Sequence, residues 1–350
     1  PLSAPAGSKS AGKREPSTNF GGYALMKAHA KGDTAQAHAL AEKVYGETSP
    51  VTKALATNVA TSGEEFIDEE LAREFVSLVR PLSVVRAAGA QTINNTTGNY
   101  RMSRHTGSAA ATYVAEATAP TRVDETTGDF TLSWFTLTKE VEVTRDMIMF
   151  SMTDAEAFVA NAIAESIAEK EDQQFLRGVA SATAPAGISN IMDANNKFAA
   201  NATVNPTNIE DDVLALIQRL LGSNIRPTVG NGAFFMPSRV LTYLMRLRDG
   251  NGNKIYEDLD FENGRLHGFR VFHTENIPSD LGAGSNETEV YFVKADEIVI
   301  GDAMGRMELN SSEHAEFSKR MVVFQGVARH DINMLRTAGA AMLTGVTWGA

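Results

Sequence analysis

Large apolar residues are unevenly spread along this chain, and their spacing changes character several times. Up to residue 63 they are sparse. Residues 1–22 are rich in Ser, Ala, Gly and Pro, a composition that buries too little surface to hold itself together. Asp33 to Tyr45 reads as a short Ala-rich helix, with Asp33 as N-cap and Gly46 as stop. Residues 1–63 are therefore expected to form an extended N-terminal arm without a core of its own. From Glu64 the pattern turns helical: Ile67, Leu71, Phe75, Leu78 and Leu82 recur every three or four residues and mark one face of a helix ending near Pro81. This segment, 64–90, leads past Gly89 into a stretch of another kind.

Residues 91–143 read as an extended hairpin loop. Gln91 to Gly98 is polar turn material, Thr112 to Glu116 is a short strand candidate, and Ala119-Pro120 and Thr127-Gly128 are turns. Phe130, Leu132 and Trp134 then fall on even numbers, whereas Leu137, Val141 and Val143 fall on odd ones. A β-bulge at Trp134-Phe135 is the simplest account, because one extra residue turns the following side chains to the other face. The middle of the loop, 96–128, has only Tyr100, Met102, Tyr113, Val114 and Val123 as sizeable apolar groups. An isolated hairpin is at best marginal in water, so this one needs a partner surface.

The strongest helical signal follows. Thr153-Asp154-Ala155-Glu156 has the form of a capping box. Phe158, Val159, Ile163, Ile167, Phe175 and Leu176 line one side of a helix over 154–177 that Gly178 stops. At about 1.5 Å per residue it is roughly 35 Å long, enough to act as a spine. A second capping box, Thr207-Asn208-Ile209-Glu210, opens a helix through Leu221, with Gly222 as stop. Ala233 to Met236 is a short buried strand, and Ser238 caps a helix that turns Val240, Leu241, Leu244 and Leu247 inward. Strands are expected at 266–274, 289–294, 297–301, 303–309, 317–324 and 331–335. The chain therefore reads as α/β over 205–280 and as β-rich at its end.

Composition narrows the chemistry. With 43% hydrophobic and 21% charged residues the chain is an ordinary globular one. It has no run of 18 apolar residues, so no membrane helix is expected, and its first residues have no apolar segment of a secretory signal. The absence of Cys excludes disulfides, zinc–thiolate sites and Cys nucleophiles. Net charge is −11, which disfavours a dedicated nucleic-acid reader. Residues 1–63 carry seven Lys/Arg against four Asp/Glu, so the arm is slightly basic and the remainder strongly acidic.

No HExxH, GxxxxGK[ST], GxSxG or strand-borne GxGxxG is present. His267 and His273 read as ordinary strand histidines. His330-Asp331 is adjacent on a strand, which points the two side chains to opposite faces. Carboxylate pairs such as Glu69-Glu70 read as solvated helix faces. No enzyme, cofactor or metal site is expected.

The order of the parts is more specific than any one motif. A coreless arm, a helix ending near Pro81, a polar hairpin, a spine helix, an α/β unit and a β-rich end follow in turn. Phe66 to Gly89 (FIDEELAREFVSLVRPLSVVRAAG), Met236-Pro237-Ser238 through Leu247, the turn Asp249-Gly250-Asn251-Gly252, Gly264-Arg265-Leu266-His267-Gly268-Phe269-Arg270-Val271, Val299-Ile300-Gly301-Asp302 and Arg329-His330-Asp331 carry the likeness. So does the closing small-apolar run from Ala338 to Val346. Over about 64–348 the chain resembles the major capsid proteins of tailed bacteriophages, which have the Hong Kong 97-type fold.

The resemblance implies an α+β fold. It has an N-terminal arm (1–63), a lead-in helix (64–90) and an extended hairpin loop (91–143). A peripheral domain (144–204 and 289–350) is built on the spine helix, and an α/β axial domain spans 205–288. It further implies self-assembly, through pentamers and hexamers, into an icosahedral shell around double-stranded DNA bound without sequence specificity. Assembly would take place in the host cytoplasm and the product would be the virion capsid, with a portal and a possible decoration protein as partners and no membrane.

On this reading Arg101, Arg104, Glu116, Arg122, Asp124, Glu125 and Trp134 are the intersubunit contacts of the hairpin. Some family members join a hairpin Lys to an Asn of a neighbour; this chain has no Lys between Lys53 and Lys139, so its neighbours are expected to be held without crosslinks. Two rival readings stand beside this one: a cellular nanocompartment (encapsulin-like) shell of the same fold, and an α/β enzyme whose site has no recognisable motif.

Overall fold

The structure is a computed structural model that describes residues 19–30, 34–47, 49–57, 83–94, 99–107, 113, 126–150, 152–302, 308–312 and 315–350. The expected helix at 67–82 and strand at 112–116 lie outside the described residues, apart from Tyr113. The strands are β1 Gln91–Asn94, β2 Tyr100–Gly107, β3 Thr126–Leu132, β4 Phe135–Thr144, β5 Lys197–Ala199, β6 Gly232–Met236 and β7 Arg265–Leu266. They continue with β8 Phe269–His273, β9 Thr288–Lys294, β10 Ile298–Asp302, β11 Glu308–Ser312, β12 Met321–Met334 and β13 Ala340–Val346. The chain divides into two compact units, one of Pro1–Leu82, Thr136–Ala168 and Ala303–Arg329, the other of Ser83–Phe135, Glu169–Asp302 and His330–Ala350.

In the first unit the described residues between 19 and 57 are not a coreless arm. Asn19–His29, Thr34–Val44 and Pro50–Thr57 are helices. Tyr23, Leu25, Met26, Val51 and Leu55 are fully buried in one core with Val141, Val143, Val159, Ile163, Val322 and Phe324. The expectation failed because the helices carry few large residues and many alanines. Small side chains let helices approach closely, and the bulky partners come from β4, β12 and the long helix, which are far away in sequence. Gly326 shows how tight that packing is: a Cβ there would stand 2.7 Å from Cγ2 of Ile163. In β4 the odd-numbered residues Leu137, Val141 and Val143 turn inward while the even-numbered ones are exposed, as the alternation predicts.

In the second unit a six-stranded sheet has the order β5-β13-β9-β6-β8-β7. Its central strands are buried on both faces, which is why they read as continuous apolar runs. Phe234, Val290, Phe292, Ala341 and Leu343 face one core, covered by the helices Pro206–Gly222 and Ser238–Arg246. Their neighbours Ala233, Phe235, Tyr291, Val293, Ala340 and Met342 face another, with Phe175, Leu176 and Ile188. Burying each large side chain here contributes about 1.5–3 kcal/mol. This sheet draws strands from both sides of the expected axial boundary at 205.

Several local readings change. The long helix runs Met152–Arg177, so Thr153 is inside its first turn rather than at its N-cap. The cap of the next long helix is Asn205, whose side chain accepts from the Asn208 N–H at 2.8 Å, with Pro206 at N1; Thr207 is already helical. The expected strands 317–324 and 331–335 are one strand, β12, after a short 3-10 turn at Phe317–Lys319. His267 is not on a strand: it sits in the two-residue turn between β7 and β8 with φ 51°, followed by Gly268 at 84°.

Candidate functional site

The chain between β1 and β4 is the natural place to look for an intersubunit element. Among the described residues β2 and β3 pair only with each other, Tyr100 opposite Leu132 and Arg104 opposite Gly128. Arg101 and Ser103 are exposed on one side, and both bond Asp129. The hydrogen bonds from Arg101 and Ser103 hold the Asp129 carboxyl below its usual range. Tyr100 and Tyr113 are exposed as well. The base of the hairpin is packed: Phe130 and Leu132 are buried against Val299, with Ile93, Met102 and Leu335 around them. Gly301 makes room for this, since a Cβ there would lie 3.2 Å from Cδ1 of Leu132.

The phase slip at Trp134 is not a bulge. β3 ends at Leu132 paired to β2, and β4 starts at Phe135 paired to β12, so the chain changes partner there. Ser133 marks the change, its N–H donating to Oδ2 of Asp331 at 2.6 Å.

Just before β1, the short helix Val84–Ala87 is held by buried charges. Asp172 acts as its cap from a distance, accepting from the Ser83 hydroxyl at 2.8 Å and from the N–H groups of Val84 and Val85 at 2.7 and 3.2 Å. Arg86 grips Asp302 with both terminal nitrogens, at 2.6 and 2.7 Å, and bonds Glu171 through Nε. His330 lies edge-on to Phe175, its Nδ1 3.8 Å from Glu171. Arg86, Glu171, Asp172, Asp302, His330 and Asp331 are all at most 6% exposed.

Burial opposes the charge of Arg86, but Glu171 and Asp302 outweigh it and move its pKa up. Burial lifts Asp172 to about 6 despite its three hydrogen bonds, and lifts Asp331 to about 6 in the same way. His330 is pushed below its ordinary value, again chiefly by burial.

Sequence reasoning missed this cluster, although one signal was available. Glu171 continues the row Val159, Ile163, Ile167 at four-residue steps, and Asp172 continues Ala160, Ala164, Ala168. Carboxylates on an apolar stripe are buried ones with partners, not a solvated face. The partners, 85 to 216 residues away, leave no local trace.

Of the expected contact residues, Arg101 is exposed, and Arg104 and Trp134 are half-buried. Glu116, Arg122, Asp124 and Glu125 lie outside the described residues.

A second polar grouping surrounds a pocket of about 520 Å³. There Glu210 accepts from the Tyr256 hydroxyl at 2.6 Å and lies 3.2 Å from Nε2 of His267. Burial, with Glu210 adding to it, holds the Tyr256 phenol above its usual range. Glu210 thus joins three elements instead of closing a capping box. No group of three or more His, Asp or Glu side chains placed to hold a metal occurs among the described residues, nor does a helix long and apolar enough to cross a membrane.

A two-sided sheet, a long helix and a hairpin whose base has its own small core set the frame for the comparison with known proteins. The chain belongs to the phage capsid family, whose model matches residues 63–345. It is a structural protein of a capsid shell. It is 29% identical over 310 residues to the major capsid protein of Klebsiella oxytoca phage phiKO2, a match that takes in 85% of this chain and 71% of the relative. Among solved structures it is similar to the capsid of an empty GTA particle computed with C5 symmetry (TM-score 0.60, 19% identity, 83% of this chain and 96% of that one). It is also similar to a structure from Mycobacterium phage Bobi (TM-score 0.57, 16% identity, 75% and 90%).

Proposed function

We propose that the protein forms pentamers and hexamers of an icosahedral shell around double-stranded DNA, with the hairpin of β2 and β3 as the arm that reaches a neighbouring copy. The observation that carries this is the hairpin's one-sided packing. Its base has its own small core, and its outer part shows charged residues and tyrosines for which the subunit supplies no apolar cover among the described residues. Arg101, Arg104, Glu116, Arg122, Asp124, Glu125 and Trp134 are the contacts. Shape supplies the docking and charge the register. Residues 205–288 form the axial part that surrounds the rotation axes.

A net charge of −11 suits a container for a polyanion, because a lining of the same sign does not trap its contents. DNA is held without sequence specificity, a portal completes the particle, and assembly takes place in the host cytoplasm. With no Lys between Lys53 and Lys139 the hairpin offers no amine, so neighbours are held non-covalently.

Replacing residues 96–128 by a short Gly-containing turn tests the reading. The truncated subunit keeps its helical circular dichroism and its thermal transition but yields no closed shells by electron microscopy. Normal shells from the truncated chain would show that the segment is not an intersubunit arm.

A further inference from the structure

Three asparagines in this chain stand directly before a glycine: Asn231, Asn251 and Asn263. That pair of residues has a chemistry of its own. Glycine has no Cβ to shield its nitrogen, so the nitrogen can reach the side-chain amide carbon of the asparagine before it. In a folded chain the outcome depends on what holds the two groups, and the fold holds the three pairs differently.

Asn231 is locked. Its Oδ1 accepts from the Thr228 N–H at 2.7 Å and from the Thr228 hydroxyl at 2.9 Å, and its Nδ2 donates to Asp296 at 2.5 Å. The Gly232 N–H donates to the Thr228 carbonyl at 2.8 Å, and Gly232 opens β6, buried beside Phe269. Asn263 is exposed, but Gly264 after it is buried and pressed on the Asp260 backbone. The Gly264 carbonyl accepts from the Val271 N–H at 3.0 Å, and the next N–H, of Arg265, donates to Asp258 at 2.9 Å. Moving the Gly264 nitrogen disturbs both bonds.

Asn251 sits in a turn, 249–253, whose residues are all exposed, and a Cβ on Gly250 or Gly252 would meet nothing within 4 Å. The Asp249 carboxylate shapes this turn. Its Oδ1 accepts from the N–H groups of Asn251 and Asn253 at 2.9 and 2.8 Å, and its Oδ2 from the Asn253 amide at 3.2 Å. These bonds engage the backbone of Asn251 and not its side chain. One bond restrains the attacking atom, from the Gly252 N–H to the Asp249 carbonyl at 3.0 Å. It lies among exposed residues, where water replaces it at little cost.

We infer that Asn251 is a self-modification site, at which the Gly252 nitrogen displaces the side-chain amide at a pace set by the Asp249 turn. The Gly252 nitrogen gives its proton to solvent and bonds to Cγ of Asn251. The Cγ–Nδ2 bond breaks, and the nitrogen takes up a proton and leaves as ammonia. Water then opens the five-membered imide at either carbonyl, which yields aspartate or isoaspartate and one further negative charge. The consequence rests on the shell reading above: if residues 205–288 surround the rotation axes, every copy in a pentamer or hexamer brings a new charge of the same sign to one axis. The chemistry itself belongs to the single chain.

Peptide mapping by mass spectrometry tests this on the full chain held in mildly alkaline buffer, folded and in urea. Each event adds about 1 Da and yields separable aspartate and isoaspartate peptides. In urea the three sites should react at similar rates, since each asparagine precedes a glycine. In the folded chain Asn251 should react first and Asn231 last. Asp249→Ala should speed the reaction at Asn251 by about fivefold or more, the factor that goes with losing one hydrogen bond, and leave Asn231 and Asn263 unchanged. Folded protein in which Asn231 or Asn263 reacts first, or in which Asn251 does not react, overturns the proposal. So does an unchanged rate at Asn251 in Asp249→Ala; if that variant does not fold, the order of the three sites in the folded wild type decides alone. The masses are read whether or not shells form, so failure here is distinguishable from failure of the shell reading.

Discussion

The two-faced sheet of the second unit and the charged cluster under the hairpin are equally dry, yet they are built from opposite materials. In the sheet, Phe234 and Phe292 stack with ring centroids 4.4 Å apart, and alternate residues fill two apolar cores. Apolar burial has no preferred direction, so many combinations of similar volume would fill that space. In the cluster, Arg86 must meet Asp302 and Glu171 in one orientation, because its planar guanidinium bonds both carboxylates only when they lie along its N–H directions. The sheet makes the subunit stable; the cluster decides where one segment of it points. Buried ion pairs contribute little net stability against a well-packed apolar alternative, but losing one partner is expensive.

That asymmetry gives the sharpest way to break the comparison. Arg86→Ala should destabilise the protein by about 3–5 kcal/mol in urea unfolding, since it strands two carboxylates. Phe234→Ala should cost about as much, roughly 3–5 kcal/mol, through a cavity. The two sites part company on rescue. Replacing Arg86, Glu171 and Asp302 together by Met and two Leu should restore most of the lost stability, whereas no charged set restores Phe234. If the triple replacement is as unstable as Arg86→Ala, the cluster is a true stability element and the contrast fails.

A smaller effect is expected where the first unit is tightest. Gly326→Ala must displace Ile163 and should cost about 1–3 kcal/mol in the same measurement. Smallest is Arg101→Ala. Its pair with Asp129 is exposed to water, so the thermal midpoint of the isolated subunit should not move, while assembly yield falls if Arg101 meets a neighbour.

What was legible in the sequence follows the same division. Elements specified by their own residues could be read directly: the helix closed by Gly178, the inward odd-numbered residues of β4, the buried run of β6. Elements specified by distant residues could not. The N-terminal helices look coreless because large side chains they share a core with, Val141, Ile163 and Phe324 among them, come from distant parts of the chain. The slip at Trp134 announces a discontinuity, but a bulge and a change of pairing partner produce the same pattern of side chains. The charged cluster was hidden for a further reason: a Glu-Asp pair on a helix is normally solvated, and only its place on an apolar stripe says otherwise.

The parallel pairing of β1 with β10 places Gln91 beside Val299 and Asn94 beside Asp302. On a ribosome adding about 5–20 residues per second, β10 emerges roughly 10–40 seconds after β1. For most of that interval the hairpin is already synthesised, but neither the strand that seats its base nor Asp302, which holds Arg86, yet exists. Synthesis order thus acts as a clock: a nascent subunit has its hairpin long before the hairpin's base can be seated, and that happens only when the last fifth of the chain arrives.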